Sequence, residues 1–221
     1  SFDPKAALVE ANKYIDDVIK DKAPQILQKE RVTDLANIKR TVLHDIETYA
    51  TFLSENSLSI EDAELEVKKS EKTLAGVHLV GTIDHVLSDK QGRLLIMDHK
   101  FGNSKYREKS LQEGKSLQLA LYSKLLSGKN DPNLAYHIIT DNKIFVLNAA
   151  LNRSQQVNGP EANLILVEAE KQIKEKTEIL KSGKLSAHGL AEGNENTRFP
   201  APCRFCEFDR ICGLAWKQGE S

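Results

Sequence analysis

Between residues 81 and 101 the chain takes on a period of two while acidic side chains stand among apolar ones, and few folds accommodate both. Val77, Leu79, Gly81 and Ile83 alternate with His78, Val80, Thr82 and Asp84, and the alternation resumes over 93–101. Period two places successive side chains on opposite faces of a strand. Lys90-Gln91-Gly92 forms a three-residue hairpin loop, with Gly92 in the left-handed position such a connection requires. That loop pairs Asp89 with Arg93, and counting back along the ladder sets Asp84 directly opposite Asp98.

Directly opposed residues in an antiparallel ladder have Cβ atoms about 4.5–5.5 Å apart, and like charges there repel. Asp98 and Lys100 share a side with Leu94 and Ile96, and Asp84 shares one with Val80 and Val86. Two carboxylates at the end of an apolar face need a partner, or their pKa values shift and the fold is destabilised. Lys100 could neutralise one. A divalent cation could hold both, and an oxygen-rich site suits Mg²⁺ or Mn²⁺. The alternative is a slipped register with both aspartates solvated.

The rest of the chain supplies the frame. Asp3-Pro4 reads as an N-cap and first helical residue, and residues 3–56 read as helices, with Leu43, Ile46, Ala50 and Leu53 on one stripe. Strands are expected over 64–74, 76–88 and 93–101. A helix follows over 110–126, then strands over 135–140 and 143–151 joined by Asp141-Asn142, then a helix over 160–182 stopped at Gly183. This order implies an α/β fold: a mixed central sheet of about five strands flanked by helices, behind a helical N-terminal region. The expected division is a helical N-terminal region over 1–60, an α/β core over 61–183 and an irregular tail over 184–221, within one continuous domain.

Apolar residues make up 40% of the 221 and charged residues 29%, which excludes global disorder. The longest apolar runs are four residues, so neither a membrane span nor a signal-peptide core is expected. Three cysteines are too few for a disulfide scaffold and suit a reducing, cytoplasmic setting. A chain that begins at Ser1 and has Met97 as its one methionine reads as a piece of a longer protein. The net charge of -1 hides a local excess: residues 99–129 hold seven Lys or Arg against Glu108 and Glu113. By itself such a run reads as a solvated helix face.

Gly81-x-x-Asp84 followed by Asp98-x-Lys100 on the next strand resembles the core motif of the PD-(D/E)XK nuclease superfamily. More narrowly, it is similar to the RecB/AddB-like exonuclease branch, which includes the CRISPR adaptation nucleases. His44, on a helix ahead of the sheet, resembles that branch's metal-ligating histidine. Gln118 and Tyr122, four apart on a helix after the lysine, resemble its QxxxY motif. Cys203, Cys206 and Cys212 resemble the C-terminal cysteines that help bind an iron–sulfur cluster in several members. Two positions depart from the pattern: His99-Lys100-Phe101-Gly102 replaces an aromatic before the lysine and Thr-Gly after it, and the far-upstream fourth cysteine is absent.

The resemblance implies a restriction-endonuclease-like fold and a Mg²⁺- or Mn²⁺-dependent deoxyribonuclease acting on DNA ends in recombination or repair, on or beside a helicase. Metal ligands would be His44, Asp84, Asp98 and the His99 backbone carbonyl. Asp84, Asp98 and Lys100 would carry catalysis, with Lys100 orienting the attacking water. Gln118, Tyr122, Lys105, Arg107 and Lys115 would bind substrate, and the basic run would track a nucleic-acid backbone. Glu64 or Glu66 could add an acid near the metal. A 4Fe-4S cluster would need a cysteine from an intact parent protein; three cysteines with His188 could instead hold zinc, or stay free thiols. Two other classes remain open: a non-catalytic nucleic-acid-binding or scaffolding module of a helicase–nuclease complex, and an unrelated phosphohydrolase or zinc-binding interaction domain.

Overall fold

The computed structural model describes residues 3–68, 71–126, 128, 131–183 and 199. Helix α1, Pro4–Lys22, starts where Asp3 caps it: the Asp3 carboxylate accepts from the Lys5 N–H at 3.0 Å, and Pro4 stands at the first turn. Two short 3-10 turns lead into α2, Val32–Glu55. The sheet follows, with β1 at Ser59–Val67, β4 at Gly81–Ser88 and β5 at Leu94–Lys100; a small separate ribbon, β2 (Thr73–Leu74) and β3 (Val77–His78), interrupts it. Helices α3 (Ser104–Gln112) and α4 (Leu117–Leu126) precede β6 (Asn133–Ile138), β7 (Lys143–Leu147), β8 (Gln155–Val157) and α5 (Ala162–Lys181).

The order across the sheet is β1-β4-β5-β6-β7-β8, six strands rather than five. Short β8 pairs in parallel with β7, and its three residues are too few to show a period. The strand expected over 64–74 lies earlier, because the chain after Val67 leaves the sheet before the small ribbon. The helix expected over 110–126 is two, parted where Gly114 takes φ +66°. Asp141 ends a 3-10 turn and Asn142 takes φ +49°, so the reversal between β6 and β7 falls where the turn pair stands.

Each sheet face carries its own core. Ile83, Val86, Ile96, Leu119, Tyr122, Tyr136 and Phe145 belong to the cluster under α3 and α4. Phe52 and Leu53 of α2 join Leu87, Leu95, Met97, Ile144 and Val146 on the other face. Phe52 and Leu53 are fully buried, each contributing roughly 2 kcal/mol of burial, which docks α2 against the sheet. No helix among the described residues is long and apolar enough to cross a membrane.

Candidate active site

The hairpin fixes the register. Gly92 takes φ +74°, Asp89 N–H donates to the Arg93 carbonyl at 3.1 Å, and His85 pairs with Met97, Val86 with Ile96, Leu87 with Leu95. The ladder proper stops at His85 and Met97, one pair short of the aspartates. At that point the Asp84 carboxylate replaces a backbone acceptor, and His99 N–H donates to its Oδ2 at 2.8 Å. On the outer side the register with β1 stays in step from Ala63–His85 to Leu65–Ile83, but Glu64, opposite Asp84, takes φ +54°. Ile83 and Val86, three apart, both enter the same core cluster, which strict alternation does not allow.

Asp98 is fully buried. Lys100 Nζ lies 2.6 Å from Asp98 Oδ2 in a bent ion pair, and Asp98 Oδ1 is buried without any partner among the described residues. Burial raises the Asp98 carboxyl above the ordinary aspartate range, the nearby Asp84 adds to the rise, and the Lys100 ammonium opposes it. Lys100 also donates to Gln118 Oε1 at 3.1 Å, and Gln118 Nε2 donates to the Tyr122 hydroxyl at 2.7 Å. Asp98, Lys100, Gln118 and Tyr122 therefore form one polar chain, with Asp84 tied in through the His99 amide.

Other expected residues stand elsewhere. His44 is exposed on α2, its Nδ1 3.9 Å from Glu47 Oε2, and it does not gather with the two aspartates into a set that could hold a metal ion. The buried face of α2 presents its neighbour Asp45 instead. Among the described residues no three His, Cys, Asp or Glu side chains gather so as to hold a metal ion. Lys115 lies 2.7 Å from Glu113, and Lys109 reaches the same carboxylate at 3.6 Å, so that stretch of the basic run is neutralised locally. Arg107 is half-buried, its guanidinium carbon 5.2 Å from the Tyr106 ring centre and 5.5 Å from that of Tyr136, while Lys105 is exposed. Cys203, Cys206, Cys212 and His188 lie outside the described residues.

A second polar group lies on the α2 side of the sheet. His99 Nδ1 is 2.9 Å from His137 Nδ1, His99 Nε2 is 3.1 Å from His85 Nδ1, and the Tyr49 hydroxyl is 2.6 Å from that same His85 nitrogen. His137 Nε2 stands 2.8 Å from Asp45 Oδ1. Burial pushes the His99 imidazole down to about 3 and lowers that of His85. Nothing local in the sequence singles out Asp45, Tyr49, His85 and His137. The available signal was the parallel register of β5 and β6, which sets His99 beside His137, and strand partners 38 positions apart leave no local pattern.

A model of the PD-(D/E)XK nuclease superfamily matches residues 3–213. Curated proteins give no match. Among solved structures the chain is similar to one described as "Crystal structure of SSO0001", with a TM-score of 0.38 and 17% identity over 94% of this chain and 83% of that one. A likeness that distant fixes neither fold nor function.

Proposed function

This chain belongs to the PD-(D/E)XK nuclease superfamily, and on that premise we propose that it hydrolyses phosphodiester bonds in DNA with a Mg²⁺ or Mn²⁺ ion held at Asp84 and Asp98. The observation that carries this reading is Asp98 itself: a fully buried carboxylate with one oxygen unpartnered, beside a second carboxylate and a lysine. A buried group of that kind costs stability unless something meets it. Two carboxylates suit a hard cation that keeps much of its shell as water and phosphate oxygen. The His99 carbonyl would add a chain oxygen, and exposed His44 is left out of the ligand set.

When bound, the ion would polarise a phosphate oxygen and lower the pKa of a water. The chain's own groups do the rest. Lys100, steadied by Gln118, would orient the attacking water and meet negative charge developing on the phosphoryl group. Tyr122 fixes Gln118 in turn. Lys105 and Arg107, at the start of α3, would contact flanking phosphates. The proposal extends to exonucleolytic action at DNA ends in recombination or repair, alongside a helicase. Its support is the placement of Gln118 and Tyr122 on the lysine, the pair on which the RecB/AddB-like resemblance rests.

The test is degradation of linear and circular DNA with Mg²⁺ by the parent protein, Asp98→Ala and Lys100→Ala. Each variant is expected to lose at least about 100-fold in rate, the scale set by removing one charge-stabilising group. Cleavage at the parent rate by either folded variant overturns the catalytic assignment. Equal loss of circular and linear DNA removes the exonuclease reading alone.

A further inference from the structure

The polar chain on the α2 face plays no part in the chemistry above, yet it ends on the backbone that the chemistry needs. His99 is the hinge of the arrangement: its amide N–H holds Asp84 Oδ2 at 2.8 Å, its neighbour in sequence is Asp98, and its ring points to the opposite side of the sheet. There both ring nitrogens are engaged, Nδ1 by His137 and Nε2 by His85. The ring meets Tyr49 edge-on at 5.4 Å between centres, and Tyr49 stacks on His85 and His137 at 5.5 and 5.1 Å. Asp45 Oδ1 closes the chain 2.8 Å from His137 Nε2, a contact too bent to count as a hydrogen bond.

A carboxylate oxygen can only accept, so one proton order runs through the set. With the His137 Nε2 proton toward Asp45, His137 Nδ1 accepts from His99 Nδ1 and His99 Nε2 accepts from His85 Nδ1, whose single proton is then shared between His99 Nε2 and the Tyr49 oxygen. The Tyr49 oxygen lies on the His85 end. No zinc-like site is formed, because the two nitrogens of His99 point to different neighbours and do not converge on one point. A buried network whose members are mutually committed rigidifies what it touches. Three buried or half-buried imidazoles under a sheet would otherwise be a costly way to fill space that aliphatic side chains fill well.

We propose that Asp45, His137, His85 and Tyr49 are positioning residues, whose chain of imidazole hydrogen bonds, ring stacking and the Asp45–His137 contact locks the His99 ring and thereby the strand backbone that sets Asp84 against Asp98. This rests on the assignment of those aspartates as metal-holding groups. Groups that orient metal ligands typically matter by about 10- to 100-fold in metal affinity.

Two readouts test it without cleavage. The first is backbone hydrogen exchange at the His99 amide in the metal-free protein. The second is the Mn²⁺ concentration at half-maximal rise in melting temperature. His137→Leu is expected to speed His99 exchange at least tenfold and raise the Mn²⁺ midpoint about 10- to 100-fold, whereas His137→Asn, which keeps a polar atom near the Nδ1 position, recovers much of both. If His137→Leu does not fold, Asp45→Asn carries the test, with the same direction in both readouts. Unchanged exchange and midpoint in a folded variant, with only a lower melting temperature, show a merely structural network and overturn the proposal. A parent protein that does not respond to Mn²⁺, while His99 exchange still quickens in the variant, overturns the metal assignment and keeps the backbone-locking role.

Discussion

At the residue scale Asp98 is a liability to the metal-free fold. Its folded-state carboxyl is raised chiefly by burial, so the folded protein holds this proton more tightly than the unfolded chain does. The sign follows. Asp98 costs nothing below the ordinary aspartate range and lowers stability progressively as pH rises from there through its raised value. In metal-free buffer, Asp98→Asn is expected to be more stable than the parent at pH 7, by about 1 kcal/mol, and to lose that share of the pH dependence. Denaturant titration at pH 4 and pH 7 checks it; a variant less stable than the parent at pH 7 would show that the Lys100 pair more than offsets the desolvation. This aspartate was legible in sequence because a charge in an apolar strand stands out locally. Asp45 was not: it lies next to His44, and which of two adjacent helical residues faces the sheet depends on how α2 docks through Phe52 and Leu53.

At the element scale the hairpin was readable because its turn is local, and the observed pairs keep the register that the Lys90-Gln91-Gly92 loop dictates. The irregularity across from it was not readable. Glu64 is a polar residue in a charged edge strand, and nothing in its neighbours announces φ +54°. That conformation is one a non-glycine residue holds at a cost of roughly 1 kcal/mol. Glu64→Gly is therefore expected to leave stability unchanged or raise it by up to about 1 kcal/mol, since glycine relieves the strain but loses chain entropy when ordered. Glu64 is exposed, so lost packing adds little. Thermal unfolding measures the stability. A loss above about 2 kcal/mol would mean that the Glu64 side chain stabilises the Asp84 bend through contacts of its own.

At the scale of the whole molecule the two faces of the sheet divide the work: the polar chain from Asp98 to Tyr122 lies toward α4, and the histidine chain lies toward α2. The basic run 99–129, which in sequence amounts to an excess of five positive charges, does not survive folding as a continuous surface. Lys100 is held by Asp98, and Lys109 and Lys115 share Glu113. Sequence shows the sum of these charges but not their pairing, because pairing depends on the break at Gly114 that turns one expected helix into two. Within the run, the start of α3 offers phosphate Lys105 and half-buried Arg107, joined by Lys100 once an ion relieves Asp98. Each neutralised phosphate contributes about -0.9 to the slope of log K against log salt on duplex DNA. Two or three contacts give a slope of about -2 to -3, against about -6 if all seven basic residues of the run took part. Titrating labelled duplex with the Asp98→Ala protein across a salt series reads this slope directly, and Lys105→Ala should make it shallower by about 1. A slope steeper than about -4 would place the main DNA-binding surface on residues beyond this helix pair, with the aspartate–lysine site receiving a strand that is held elsewhere.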